Sequence, residues 1–412
     1  MNTEPATTSR PTPLTALFWL TFLASISTGV LWSGISFIAK HDYDYSPTAN
    51  FLLYFVTAVV YILVAFSSGR MTRGLERFLS PRGILTLILL GQVMLSPLPV
   101  VFSGSWTIWV TAAATSAAGA LLWPIVESYL SAGRHGREMR SAMGWWNISW
   151  TGAVAVSLVG MAPLIGQEDA TLARYALVAL SPISLLAMLA LPWFSRTPGG
   201  HDEATWQQSI TVEYPYLLRS VRILLPLGYV LIGTISPLLP YRFEAIDVAA
   251  SFETPAAATW TIVRVFAIAI MWRITFWHGR WGTLLFGGGG MLLGFVMVVL
   301  SPTIEWIIIG LAVFGAGQGV VYYAALYYAM SVGRAEVDAG GVHESLIGFG
   351  YAIGPLAALT GERIRLPGVD PTGGGGIVTV VMSVIGISLV PAVTPYLQAR
   401  RRRARSTEGE NT

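Results

Sequence analysis

Only 11% of the 412 residues are charged, so each ionisable side chain inside an apolar run is a candidate for chemistry. Such groups are expensive in a low-dielectric setting and normally line a polar cavity. Arg264 is the clearest case. It sits near the middle of the run 255–277, with Trp260 one turn earlier on the same helical face. A guanidinium beside an indole can receive an anionic or hydroxyl-bearing, partly flat solute through hydrogen bonds and stacking. The structural alternative is an arginine paired to a neighbouring helix's carbonyls or carboxylate.

Glu127, with Gly119 and Trp123 on its face, lies toward one end of the run 106–130. It could be a protonatable coupling site or an inner-gate residue paired with Arg134 or Arg140. His343 and Glu344 open the run 341–360, where they could relay protons or simply cap a helix start that favours negative charge. Asn147, Trp150 and Thr151 share a face and could offer an amide and an indole to a cavity. A buried Asn can equally serve interhelical hydrogen bonding. Gln318 and Tyr322 lie one turn apart and deep in their run, ahead of Tyr323, Tyr327 and Tyr328, which suit an interfacial belt. Ser25, Thr28 and Trp32 repeat the spacing more weakly. No cysteine is present, which removes thiolate chemistry, and no third ligand accompanies His343 and Glu344, so no metal is expected. The Gly287–Gly290 and Gly348–Gly350 stretches follow no strand and favour close helix packing over dinucleotide binding. No cofactor is expected.

The elements that must position these residues are membrane spans. With 54% hydrophobic residues and a mean hydropathy of +0.61, the chain cannot clothe a water-facing surface. About 20 apolar residues are needed to cross the hydrocarbon core as a helix. Such runs occur at 14–39, 48–67, 84–102, 106–130, 142–165, 173–194, 222–241, 255–277, 283–301, 304–330, 341–360 and 375–398. Backbone hydrogen bonds must be met within each span, so all twelve are expected to be helical. Basic residues give the orientation. Lys40, Arg174, Arg242, Arg363 and Arg365 fall on one side, Arg264 lies inside a span, and the rest of the 25 fall on the other. Both termini are therefore expected in the cytosol. The organisation expected is a first six-helix bundle at 1–195, a cytosolic central loop at 196–221, a second bundle at 222–398, and a disordered basic tail at 399–412. The modest net charge of +3 gives no reason to expect nucleic acid.

The fourth and tenth runs can be superposed at an offset of 200: Gly119, Ser131, Gly133 and Arg134 match Gly319, Ser331, Gly333 and Arg334. Twelve spans, cytosolic ends, a long central loop and this six-plus-six repeat resemble the major facilitator superfamily over essentially the whole chain. GAGQG at 315–319 and Gly354-Pro355 are similar to that family's usage. The resemblance implies an all-α integral membrane fold with two six-helix bundles about a pseudo-twofold axis. It implies a monomeric secondary transporter in the cytoplasmic (inner) membrane, moving a small-molecule solute by alternating access with a proton or sodium ion as coupling partner. The sequence departs from the family where a Gly-x-x-x-Asp-Arg signature often joins spans two and three. Here Gly69 is followed by Arg70, Met71, Thr72 and Arg73, and HGRWG at 278–282 keeps only the Gly-Arg. The fourth-span arginine of many proton-coupled members is also absent, which bears against proton antiport. A multipass enzyme would need paired catalytic groups at one interface, for which only His343, Glu344 and scattered carboxylates are on offer. A transporter-like sensor or scaffold would ordinarily add a sizeable soluble domain.

Overall fold

A computed structural model describes residues 11–134, 136–167, 169–199, 213–332, 337–364 and 374–409. Eleven helices among the described residues are long and apolar enough to cross a bilayer. In chain order α1 is Leu14–Tyr43, α2 Pro47–Leu75, α3 Pro81–Val101, α4 Trp106–Ser131, α5 Arg137–Leu164 and α6 Thr171–Trp193. Then follow α7 at Tyr214–Glu244, α8 at Ala250–Arg273, α9 at Trp281–Leu300 and α10 at Ile304–Ala329. The helix outside those eleven, α11, is Val337–Glu362, 26 residues, or about 39 Å at 1.5 Å per residue. It packs between α2 and α7. The last, α12, is Gly374–Arg402. Its helix continues to Gly409 where the sequence suggests a disordered tail, because Arg, Ala and Gln are good helix formers.

Local chemistry sets the helix ends. Ser46 and Ser80 each accept a hydrogen bond from a first-turn backbone N–H, and each is followed by a proline. That combination fixes φ where no N–H is needed. Within α1 the ladder widens into one π-helical turn at Val30–Gly34, which turns Trp32 inward. Helix α7 begins eight residues before the expected 222, since Tyr214-Pro215 starts a helix whose first two turns precede the apolar run.

The halves repeat each other's packing. Helix α1 lies against α5 and α6 as α7 lies against α11 and α12, and α2 meets α4 as α8 meets α10. Between halves the same rule pairs α2 with α11 and α5 with α8. Ser36 Oγ donates to the Ser236 carbonyl at 2.8 Å and Lys40 Nζ to the Pro240 carbonyl at 2.9 Å. Each thus touches the residue 200 positions later, the same offset that aligns the fourth and tenth runs. Residues astride a twofold axis meet their own mates, so the axis passes between α1 and α7.

Burial separates centre from rim. The apolar window of α7 is 83% enclosed against 28% for that of α12, so α7 is central and α12 faces lipid. A single core joins both halves, with Phe37 of the first stacked on Phe243 of the second at the far face, and in the second half it runs on to Leu217, Trp277 and Tyr328 near the terminal face. At the face carrying the termini, the first half keeps a core of its own, including Leu17, Leu85, Val126, Tyr129 and Phe194. Hydrogen bonds tie the halves at the far face, and near the terminal face they still meet where Trp272 of α8 packs on Gly144 and Trp145 of α5.

Candidate functional site

A cavity of about 60 Å³ lies between the halves at mid-depth, with room for a few waters at roughly 10–15 Å³ each on this measure. From the first half, Trp32 of α1, Tyr61 of α2, Trp123 of α4 and Trp146 and Trp150 of α5 face it. From the second half come Tyr229 of α7, Trp260 and Arg264 of α8, Tyr322 of α10, and Glu344 and Tyr351 of α11. The wall is therefore largely aromatic, with one cation and one carboxylate.

The cation is the most constrained group in it. Arg264 is 1% exposed, and its Cζ lies 4.3 Å from the Trp150 ring centroid, 4.5 Å from Tyr322 and 5.8 Å from Trp260. Its Nε and Nη2 are buried without a hydrogen-bond partner. Cation–π contacts contribute about 1–2 kcal/mol each when desolvated, whereas the effective cost of burying a charge is several kcal/mol. The cage and the Tyr229 hydroxyl, which lies within hydrogen-bonding reach of the guanidinium, offset that cost.

The carboxylate sits on the opposite seam. Glu344, 6% exposed, accepts a short hydrogen bond from the Tyr61 hydroxyl. Glu127 lies within electrostatic reach of it. Aromatic contacts span the two halves at both seams. Trp32 stacks on Tyr351 at 4.1 Å with 17° between planes, and Trp150 meets Tyr322 edge-on at 5.3 Å. The close approach of α11 to its neighbours depends on glycine. A Cβ at Gly350 or Gly354 would collide with the α7 backbone, and one at Gly348 would lie 2.8 Å from Ile62 of α2.

The family model of the Major Facilitator Superfamily matches residues 17–355. The chain belongs to this superfamily. The fold is shared with solved transporters. The structure of a mutant of the nucleoside transporter NupG aligns with a TM-score of 0.66 at 12% identity, covering 93% of this chain and 99% of that one. A bacterial homologue of the human lysosomal transporter Spinster, in an inward-facing and unoccupied conformation, aligns with a TM-score of 0.66 at 12% identity, covering 94% and 96%. No curated protein sequence matches the chain.

Within that superfamily fold, Arg264, Trp260, Trp150, Tyr322 and Glu344 come together around one cavity. Asn147 stands behind the wall. Its Nδ2 donates to the Met143 carbonyl at 2.9 Å, and its Oδ1 accepts from Trp150 Nε1 at 3.0 Å, so it orients the indole that covers Arg264. Gln318 is 2% exposed with its Oε1 unpartnered, and it lies beside Tyr229. His343 stands 6.3 Å from the Tyr322 ring with Nε2 buried and unpartnered. Because α11 starts at Val337, His343 and Glu344 lie in its second turn, and Glu344 is not a cap. Arg134 does not serve Glu127, since it donates to the carbonyls of Tyr129, Leu130 and Thr12.

The sequence reading missed Tyr61, Trp146, Tyr229 and Tyr351. Tyr229 and Tyr351 each follow a glycine in mid-span, Gly228 and Gly350. A bulky polar-tipped residue beside a close-packing glycine is the signal that could have found them.

Proposed function

We propose that the chain is a secondary active transporter, not an enzyme, moving a small organic solute across the cytoplasmic membrane by alternating access. The observation that carries this is Arg264: a buried cation, unpartnered at Nε and Nη2 and caged by Trp150, Tyr322 and Trp260, at the junction of two pseudo-symmetric bundles. The Tyr229 hydroxyl serves the guanidinium and leaves Nε and Nη2 for a solute. In this role Arg264, Trp260, Trp150 and Tyr322 contact solute, while Asn147 and Gln318 support the wall from behind. Glu344, Glu127 and His343 form the coupling or gating set, and the coupling ion is a proton or sodium ion.

The two cores support the direction of motion. The hydrogen bonds from Ser36 to Ser236, Lys40 to Pro240 and Tyr241 to Tyr45 at the far face, against a first-half core of its own at the terminal face, support bundles that part at the terminal face. The arginine bias of the loops puts that face, with both chain ends, in the cytosol. The protein acts as a monomer, since each chain holds both bundles. The test is transport in proteoliposomes: Arg264→Ala abolishes uptake or efflux while membrane insertion and thermal unfolding stay as in the parent. Unchanged transport kinetics in that variant would contradict the assignment.

A further inference from the structure

Two arginines of this protein can be compared nitrogen by nitrogen. Arg174 donates from Nε to Asp42 Oδ2 at 2.7 Å and from Nη2 to Asp42 Oδ1 at 2.5 Å. One planar edge of the guanidinium thus holds both oxygens of a carboxylate, the bidentate geometry for which arginine is suited. Arg264 presents the same two atoms, Nε and Nη2, buried and unpartnered. The carboxylate in its own cavity does not fill that edge. Glu344 is held by Tyr61 of the opposite seam, and no ion pair joins it to Arg264 among the described residues.

That edge is closed off in this conformation, so a solute reaches it only as the aromatic side chains around it part. Trp150 and Tyr322 lie against the guanidinium from opposite halves, and Trp32 and Tyr351 stack across the cavity on the α2–α11 side. A planar ring entering the cavity meets aromatic side chains from both halves, with which stacked or edge-on contacts add to area burial. An aliphatic anion would forgo those contacts. A neutral ring would leave the Arg264 edge unmet, and a desolvated donor without a partner costs binding energy. The small cavity favours a compact solute.

We infer that the solute is a planar aromatic carboxylate whose two oxygens seat on the Nε–Nη2 edge of Arg264 while its ring lies among Trp150, Tyr322, Trp32 and Tyr351. This rests on the transporter reading of the same cavity and names its substrate class.

The experiment is isothermal titration calorimetry of the purified full chain with benzoate, benzamide and cyclohexanecarboxylate as probes, followed by counterflow of labelled benzoate in proteoliposomes. Benzoate is expected to bind at least about tenfold more tightly than benzamide, the factor one charge-assisted pair typically supplies, and about fivefold more tightly than cyclohexanecarboxylate, which keeps the pair and forgoes the aromatic contacts. Arg264→Gln is expected to erase the preference for benzoate over benzamide, and Arg264→Lys, which keeps the charge but loses the fork, to retain part of it. Equal affinity for benzoate and benzamide, equal affinity for benzoate and cyclohexanecarboxylate, no binding of any probe, or selectivity that survives Arg264→Gln would each overturn the inference. The two levels separate cleanly. Selective benzoate binding without counterflow keeps the ligand class and removes the transport reading. Flux of another solute without selective binding does the reverse.

Discussion

Along α2 and α11 the halves meet through Tyr61 and Glu344, whereas along α5 and α8, the twofold-related pair, they meet through Trp150 and Arg264. The backbone plan is the same in both places, and the chemistry is opposite. One seam carries an acid whose charge is engaged by a phenol from across the interface. The other carries a base whose hydrogen-bonding edge has no protein partner. Duplication supplies two equivalent seams beside the axis, and divergence of their side chains gives one cavity a positive and a negative wall. The satisfied wall is suited to holding the halves together, and the unsatisfied one to receiving a solute.

The largest expected effect separates the walls by what they do. Arg264→Ala loses both gradient-driven uptake and counterflow, because the solute is no longer held. Glu344→Gln keeps shape and loses charge, so counterflow persists while accumulation against a gradient falls by about tenfold or more, the loss of a charge-assisted bond being worth about 1.5–3 kcal/mol. Accumulation at the parent level in Glu344→Gln would remove the coupling role from this seam. Next comes the cage: Trp150→Ala weakens solute binding by roughly tenfold, about 1–2 kcal/mol of cation–π contact, and Trp150→Phe restores most of it, as titration calorimetry would show. Asn147→Ala acts only through Trp150, whose Nε1 loses its acceptor, and is expected to cost about 1 kcal/mol. If Asn147→Ala weakens binding as much as Arg264→Ala, the residue touches solute directly.

The smallest effect lies outside the spans. His278 packs against Tyr327, whose hydroxyl is 3.2 Å from Nδ1. Burial, aided by the charge of Arg140, pushes its pKa down to about 4. The folded protein therefore keeps this ring neutral where the unfolded chain, titrating near 6.5, has already bound a proton. Stability from this site is complete above about pH 6.5 and is lost as pH falls toward 4. Thermal unfolding followed from pH 7 to pH 5 should show a decline that His278→Asn flattens slightly. An unchanged slope would mean that the ring is not held neutral.

Much of this is legible in the amino-acid sequence. Lipid as solvent forces long apolar helices, so the spans could be counted from hydropathy alone, and the offset of 200 that aligns Gly119 with Gly319 reappears where Ser36 meets Ser236. Arg264 stood out because a charge in an apolar run has few excuses. What remained hidden depends on rotation about helix axes and on side-chain direction. Tyr61, Tyr229 and Tyr351 read as any mid-span aromatic until packing turns them inward. Asn147 lies on the face of Trp150, yet it spends both polar ends on its own helix. Glu344 reads as the start of a helix that in fact begins about two turns earlier, at Val337, in residues too polar to register as a span.

The chain has no cysteine, which makes one measurement unusually clean. Ser36→Cys and Ser236→Cys introduced together place two thiols beside the axis on the far face, where Ser36 Oγ now reaches the Ser236 carbonyl at 2.8 Å. Alternating access requires these positions to separate in every cycle. Solute flux in proteoliposomes should stop when the pair is oxidised and return on reduction, and a fully oxidised pair that transports at the parent rate would contradict the account.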